Sequence, residues 1–399
     1  MVKISRKDSK GRRLRDGETE RKDGRYVYRF TDEKTGKRKN IYARDLAELR
    51  KKVKEEIGDG KQTDPATKKL TLNDLFDSYL TTKKVAPTTK VSYISIWNNH
   101  VRDELGIYKV TLLQKSDVEE FYLKMDEKGY SHSTIELIHN LLKPTLEKAV
   151  DDKIIDRNPV KCLPSNFGKP KEESIALTVE QQSQLMKFVK HNESYKVYYS
   201  MIAVMLGTGI RCGELIGLTW DDVDMKNKEI NINHQLQYKN LGDGYKFHVR
   251  PPKTDYGKRN IPMPSQVYDA FMQRRRLNEV LRCDKTVSIG NCKNFVFVNQ
   301  KNEPFTPSSV NRILRNIVNA YNSMENLRQN EKLPAISAHT MRHTFCTRMV
   351  EKVTEPIQLK YIQLIMGHSD LSITLQIYTH ITNVACIKKD MEKFDLLEI

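Results

Sequence analysis

Between Arg25 and Phe30 the chain alternates strictly, with Tyr26, Tyr28 and Phe30 on one side and Arg25, Val27 and Arg29 on the other. From Leu72 onward its apolar residues recur instead at three- and four-residue spacing. The first period fits a strand and the second a helix, so no single repeating architecture holds both segments. Gly60 to Lys69 separates them as a polar linker. A chain of 399 residues also exceeds one ordinary core. The expectation is a multidomain protein: residues 1–65 as a small β-sheet plus helix, 66–160 as an all-α domain, 161–174 as a linker rich in Pro and Gly, and 175–399 as an α+β domain, mainly α with a small antiparallel sheet, ending in a tail over 381–399.

Charge divides the chain in the same places. The whole carries 68 Lys and Arg against 51 Asp and Glu, a formal +17. Residues 1–65 hold 21 cations against 13 acids, residues 66–160 hold 14 of each, and residues 161–399 hold 33 against 24. Such an excess implies a polyanionic partner, above all nucleic acid. No apolar run approaches the roughly 18 residues of a membrane span, and Met1 to Arg6 has no apolar signal core. The six cysteines contain no C-x-x-C pair, so neither a zinc site nor a disulfide framework is indicated. A cytoplasmic protein without membrane contact, metal or other cofactor is expected.

In the first segment, Lys3 to Arg15 reads as a basic, mobile arm. Arg38 to Tyr42 is the returning strand of a hairpin turned at Lys34 to Lys37, and Arg44 to Ile57 is a helix with Leu46, Leu49 and Val53 on one stripe. Such a sheet could lie in a DNA groove through Arg25, Arg29, Lys37 and Lys39; the plain alternative is a solvated basic face. In the second segment, Leu72, Leu75, Phe76, Tyr79 and Leu80 form one helical stripe, and Val91, Ile94, Trp97, Val101 and Leu105 another. Two more helices are expected behind capping boxes at Ser116–Glu119 and Ser133–Glu136, with Pro144 kinking the last. Trp97 reads as core. This neutral segment must gather its cations on one face to touch DNA, with Lys83, Lys84, Lys90, Lys143 and Lys148 as candidates.

The third segment opens behind a capping box at Thr178 to Gln181 and carries expected strands over Glu229 to Asn233, Lys246 to Val249 and Arg259 to Met263. Four places in it hold chemistry. Gly207-Thr208-Gly209-Ile210-Arg211 turns sharply and delivers Arg211 to a helix start, where Glu214 can hold its guanidinium; alone, this is equally a structural Arg–Glu pair. Pro251 to Arg259 reads as a hairpin turning at Asp255 to Gly257, with Lys253 near its tip; a single hairpin lysine is usually solvated. His339 and Arg342 share a helix face, which alone fits a polar turn. His339 and His343 have the spacing of a zinc pair, but no glutamate follows the first histidine and no carboxylate lies near. Gly367 caps a helix ahead of His368, and Tyr378 follows ten residues on; by itself Tyr378 fits a half-buried packing role.

Taken together, Arg211, Lys253, His339, Arg342, His368 and Tyr378 form a complete set for metal-free phosphodiester chemistry. Arginines bind non-bridging oxygens in forked pairs. A tyrosine nucleophile conserves the ester as a phosphotyrosine. A lysine can protonate the departing 5′-oxygen, and histidines can accept the tyrosine proton and bind phosphate.

These segments, from Gly207 to Leu218, Lys253, His339-Thr340-Met341-Arg342-His343 and Ile365-Met366-Gly367-His368 through Tyr378-Thr379-His380, resemble the catalytic motifs of the tyrosine recombinases (phage integrase family), in family order. The upstream segments resemble the arm-binding and helical core-binding domains of integrases from Gram-positive conjugative transposons, with phage integrases a near alternative. The resemblance implies a tyrosine-recombinase catalytic domain that integrates and excises a mobile element. Tyr378 would be the nucleophile, forming a 3′-phosphotyrosyl link. Arg211 and Arg342 would clamp the phosphate, with Glu214 supporting Arg211. Lys253 would be the general acid, His339 the proton acceptor and His368 a phosphate ligand. It also implies core and arm sites on double-stranded DNA, a homotetramer joined through the C-terminal tail, an excisionase and a host DNA-bending protein as accessory partners, and association with the nucleoid. Ile387, Met391 and Phe394 give the tail a helical stripe that could dock on a neighbouring protomer or pack on its own domain. A type IB topoisomerase and a non-catalytic DNA-binding regulator are the competing readings.

Overall fold

The structure is a computed structural model that describes residues 6–15, 17–31, 37–57, 70–161, 164–170, 176–252, 254–283, 285–325, 327–370, 372 and 375. The chain divides into two compact units, residues 1–172 and 173–399. No helix among the described residues is long and apolar enough to cross a membrane.

The first unit holds two separate hydrophobic cores. The N-terminal one lies between an antiparallel sheet, β1 (Glu18–Glu20), β2 (Tyr26–Thr31) and β3 (Arg38–Ala43), and helix α1 (Leu46–Ile57). Tyr26, Ile41, Ala43, Leu46 and Leu49 are its buried residues, with Tyr28 and Phe30 packed against them. The alternation of β2 thus sends its aromatics to the helix; on the opposite face Arg29 is exposed and Val27 is buried. Strand β1 has no apolar period and is not evident in the sequence. Its Glu18 is buried and accepts from Nε and Nη2 of Arg50 on α1 at 2.9 Å each, so tertiary pairing fixes it.

Of the arm expected over Lys3 to Arg15, residues 3–5 lie outside the described residues and 6–15 are hydrogen-bonded into the N-terminal core. They close into a tight loop around the buried Asp8 carboxylate, which accepts from the Lys10 and Arg12 amides, from Arg12 Nε and from the Tyr26 hydroxyl. Bonds from Leu14 N to Arg6 O and from Asp8 N to Arg12 O complete the closure. One acid among many bases supplies the ordering that charge density alone conceals.

The second core is all-helical: α2 (Leu72–Thr82), α3 (Pro87–His100), α4 (Lys115–Glu127) and α5 (His132–Asp151). Trp97 is fully buried, stacks on Phe76 at 3.8 Å and donates its indole N–H to Asn73 at 2.8 Å, which makes it a core residue. Ile94 points outward and Tyr93 and Ile96 take its expected place against the core. Helices α4 and α5 begin earlier than their serine boxes suggest, capped by Gln114 and Ser131. At Ser131 a bridge to Lys169 fixes the extended backbone that a cap requires. Pro144 sits inside α5 without ending it. Of the expected linker, residues 164–170 fold back onto this core: Phe167 packs against it, and His132 N and Lys169 N exchange bonds with Lys169 O and Tyr130 O.

The second unit begins with α6 (Val179–His191), capped by Thr178 and Gln181 as the sequence indicates. Its core continues through α7 (Tyr199–Thr208), α8 (Cys212–Gly217), α9 (Ser265–Val280), α10 (Pro307–Asn322) and Met341 of α11 (Ala338–Val350). Helix α12 (Pro356–Met366) packs on α11 through Ile362 and Met366. Strands β4 (Val223–Asp224), β5 (Glu229–Ile232) and β8 (Arg259–Pro262) form one small antiparallel sheet. Strands β6 (Gln235–Asn240) and β7 (Tyr245–Arg250) form a separate hairpin, and β9 (Ser288–Ile289) and β10 (Cys292–Lys293) a short one. The sequence therefore misplaces one hairpin. β7 pairs with β6 and β8 with β5, so β7 and β8 belong to two different sheets and are not the arms of one hairpin. Pro251 and Pro252 lack the N–H groups needed to continue the ladder.

Candidate active site

Two left-handed turns build the site. Helix α7 ends at Gly209 (φ 62°), whose N–H returns to Met205 O, and α12 ends at Gly367 (φ 63°). At the second turn Gly367 N bonds to Leu364 O and His368 N to Gln363 O, the paired bonds of a Schellman cap. Side chains could not replace either glycine cheaply. A Cβ on Gly209 would lie 2.4 Å from Phe345, and one on Gly367 within 3.3 Å of Tyr256 O, Arg259 Nη1 and Arg211 Nη1.

Arg211 is the residue before α8. It donates Nη1 to Glu214 Oε1 at 2.9 Å, its own amide to Glu214 Oε2 at 3.0 Å and Nη2 to Gly367 O at 2.7 Å. Arg342, buried on α11, donates Nη1 to Gly209 O at 2.8 Å and Nη2 to Met366 O. Each arginine therefore fixes the turn beside another candidate site residue. A guanidinium carries five donors, so each keeps donors for a ligand.

Burial, and after it the Arg211 charge, lowers the Arg342 pKa to about 9. Burial also lowers His368 to about 4, assisted by the charges of Arg342, Arg211, Arg259 and His339. Burial would raise the Glu214 carboxyl, but the Arg259 hydrogen bonds, its charge and that of Arg211 outweigh this and hold it below its ordinary value. The result is a cation-rich, partly desolvated pocket, and an anion entering it would relieve the mutual repulsion.

The structure thus brings together Arg211, Glu214, Arg342 and His368, and places His339 exposed on α11 one turn before Arg342. Lys253, Tyr378 and the tail 381–399 lie outside the described residues. Sequence reasoning missed Arg259. Its side chain is only 6% exposed and grips Glu214 with Nη2 at 2.8 Å and Nη1 at 3.1 Å. Its position as the first residue of a short apolar strand, directly after the lysine segment, was the available signal.

The candidate DNA contacts separate. Arg25 and Arg29 are exposed, and Arg29 stands on the sheet face away from α1. Lys39 pairs with Phe30 in register, so it shares the helix-side face with Ile41, and Lys37 is exposed just ahead of β3. Arg38, Asn40 and Tyr42 occupy the outer face instead, and Arg21 lies over the Tyr42 ring at 5.7 Å. Lys84, Lys90 and Lys143 are exposed. Lys83 lies over the rings of Tyr79 and Tyr93, and Lys148 pairs with Asp152 at 2.7 Å.

Residues 176–384 match the phage integrase family, and residues 2–65 match the DNA binding domain of tn916 integrase. The transposase from transposon Tn1545 of Streptococcus agalactiae is 34% identical over 398 residues, covering 94% of each chain. The transposase from transposon Tn916 of Enterococcus faecalis is 33% identical with the same coverage. Among solved structures, the Tn1549 transposon integrase in complex with a circular intermediate DNA superposes with a TM-score of 0.72 at 31% identity, over 82% of this chain and 99% of that one. A lambda integrase tetramer bound to a Holliday junction shares the fold, with a TM-score of 0.56 at 16% identity over 90% of this chain and 94% of that one.

Proposed function

The chain belongs to the phage integrase family, and from that membership we propose how its residues perform the family's reaction. It is a site-specific DNA recombinase that integrates and excises a mobile element, cutting and rejoining DNA through a 3′-phosphotyrosyl intermediate. In our reading the Tyr378 oxygen attacks the scissile phosphorus, the P–O5′ bond breaks, and Lys253 gives its proton to the departing 5′-oxygen. His339 takes the tyrosine proton. Religation runs the same steps backward from a 5′-hydroxyl of the partner strand.

The observation that supports this most is the convergence of Arg211, Arg342 and His368 around Gly209 and Gly367. As phosphorus becomes five-coordinate its equatorial oxygens gain negative charge, and preformed donors stabilise that charge without reorganising. Arg211 and Arg342 supply forked donors. His368, with its pKa near 4, is neutral in the free enzyme and offers a hydrogen bond to the phosphate.

DNA is the partner. The outer sheet face of the N-terminal core, through the exposed Arg25, Arg29, Arg38 and Tyr42, would bind accessory arm sites, and Lys84, Lys90 and Lys143 would help bind the core site. The working assembly would be a tetramer joined through the tail, aided by an excisionase and a host bending protein. The relatives above are transposases and integrases, and none of them favours a topoisomerase or a non-catalytic regulator. A plasmid carrying two copies of the element's joined ends tests the reading. Deletion or inversion between the copies supports it; relaxation of plasmids lacking those ends, without recombination, overturns it.

A further inference from the structure

The Glu214 carboxylate poses a problem for a phosphate clamp. Paired with Arg211 alone, it would neutralise the cation that the phosphate needs and hold its donors in competition with the substrate. Glu214 is only 3% exposed, so water reaches that pairing only from the Arg211 side, which is 37% exposed.

Arg259 resolves the conflict. It meets both Glu214 oxygens, at 2.8 and 3.1 Å, in the forked geometry that guanidinium and carboxylate favour. Arg211 meets the same carboxylate through one Nη and its backbone amide. Counted together, Arg211, Arg259 and Glu214 keep one net positive charge, and the buried fork assigns the carboxylate chiefly to Arg259. Arg259 is itself held by bonds from Nε to Ile365 O at 2.6 Å and from Nη1 to Gly257 O at 3.0 Å. These tie it to the segment leading into Gly367 and His368 and to the turn that follows Lys253.

We propose that Arg259 is a positioning residue for strand cleavage: it takes up the charge of Glu214 so that Arg211 remains a cation directed at the scissile phosphate. The proposal rests on the catalytic reading above and deepens it. Two opposed expectations follow. Removing Arg259 alone hands the carboxylate to Arg211 and weakens the clamp. Removing the Glu214 charge as well returns the cation to Arg211.

The experiment is single-turnover cleavage of a nicked core half-site by full-length wild type, Arg259→Gln, Glu214→Gln and the double variant, with melting temperature and DNA affinity measured for each. Arg259→Gln should cleave about ten-fold more slowly, a smaller loss than the roughly 10²–10³ that follows removal of a donor touching the developing charge, while its DNA affinity stays close to wild type. The double variant should cleave several-fold faster than Arg259→Gln, about the coupling expected of residues in direct contact. If Arg259→Gln does not fold, the comparison moves to Glu214→Gln against the double variant. Adding Arg259→Gln there should then cost less than about three-fold, since no carboxylate remains to be shared. Wild-type cleavage by Arg259→Gln, or a double variant slower than both single variants, would overturn the proposal. Absence of any adduct from wild type would overturn the catalytic reading beneath it, so the wild-type lane distinguishes the two failures.

Discussion

Arg211 donates its Nη2 to the carbonyl oxygen of Gly367 across 2.7 Å, joining residues 156 apart in sequence. The reciprocal bond runs from Arg342 to Gly209, two residues before Arg211. Each of these arginines therefore braces the turn that presents another member of the candidate site. The clamp depends on backbone geometry as much as on side-chain identity.

Gly367→Ala should accordingly impair the site without touching a charged residue. Its left-handed φ would cost about 1 kcal/mol or more for an alanine, and the new methyl would crowd Arg211 and Arg259. We expect a lower melting temperature and a cleavage rate reduced more than the unfolded fraction explains. Thermal melts paired with half-site cleavage at low temperature check this.

Arg342→Lys keeps the charge and loses the fork. One ammonium cannot span Gly209 O, Met366 O and a phosphate together. Cleavage should fall by about 10²-fold or more, and a buried carbonyl left unpaired should cost roughly 1–3 kcal/mol of stability. Single-turnover rates and denaturant titration of the same preparation separate the two effects.

The His368 environment gives a pH signature. Its folded pKa, about 4, lies below the ordinary 6.5, so the unfolded chain takes up the proton first. Stability from this group is complete above 6.5 and is lost as pH falls toward 4. Replacing His368 with Gln should flatten that part of the melting-temperature profile. A bound phosphate should raise the imidazole pKa. Histidine-labelled NMR titration of the free protein reads this directly, and a value at or above 6.5 would contradict it.

The outer sheet face should dominate the salt dependence of arm-site binding. Arg29→Ala and Arg38→Ala should each lower the slope of log affinity against log salt by about 0.9 for every phosphate the arginine neutralises. Lys39→Ala should lower it less, because Lys39 pairs with Phe30 on the helix side. Fluorescence anisotropy over a salt series ranks the three.

Much of this organisation is legible in the sequence. Local signals that agree with tertiary packing read correctly: the Thr178–Gln181 cap, the Tyr26, Tyr28 and Phe30 alternation, the burial of Trp97, and the glycine turns before Arg211 and His368. Features made by distant partners do not. Strand β1 exists through Glu18 and Arg50, the 6–15 loop through one buried aspartate, and the separation of β7 from β8 because β6 claims β7. Arg259 escaped for the same reason, since its meaning lies in a carboxylate 45 positions away.

The central claim is that Tyr378 attacks a phosphate held by this cation cluster. A nicked half-site labelled on the strand 5′ of the scissile phosphate, whose 3′ end the tyrosine would capture, incubated with the full chain and run on a denaturing gel, tests it most directly. The account predicts a protein-linked band that resists denaturant, is removed by protease, and is absent with Tyr378→Phe although that variant still binds the site. A covalent band of undiminished intensity from Tyr378→Phe, or none from wild type on the cognate site, would contradict it.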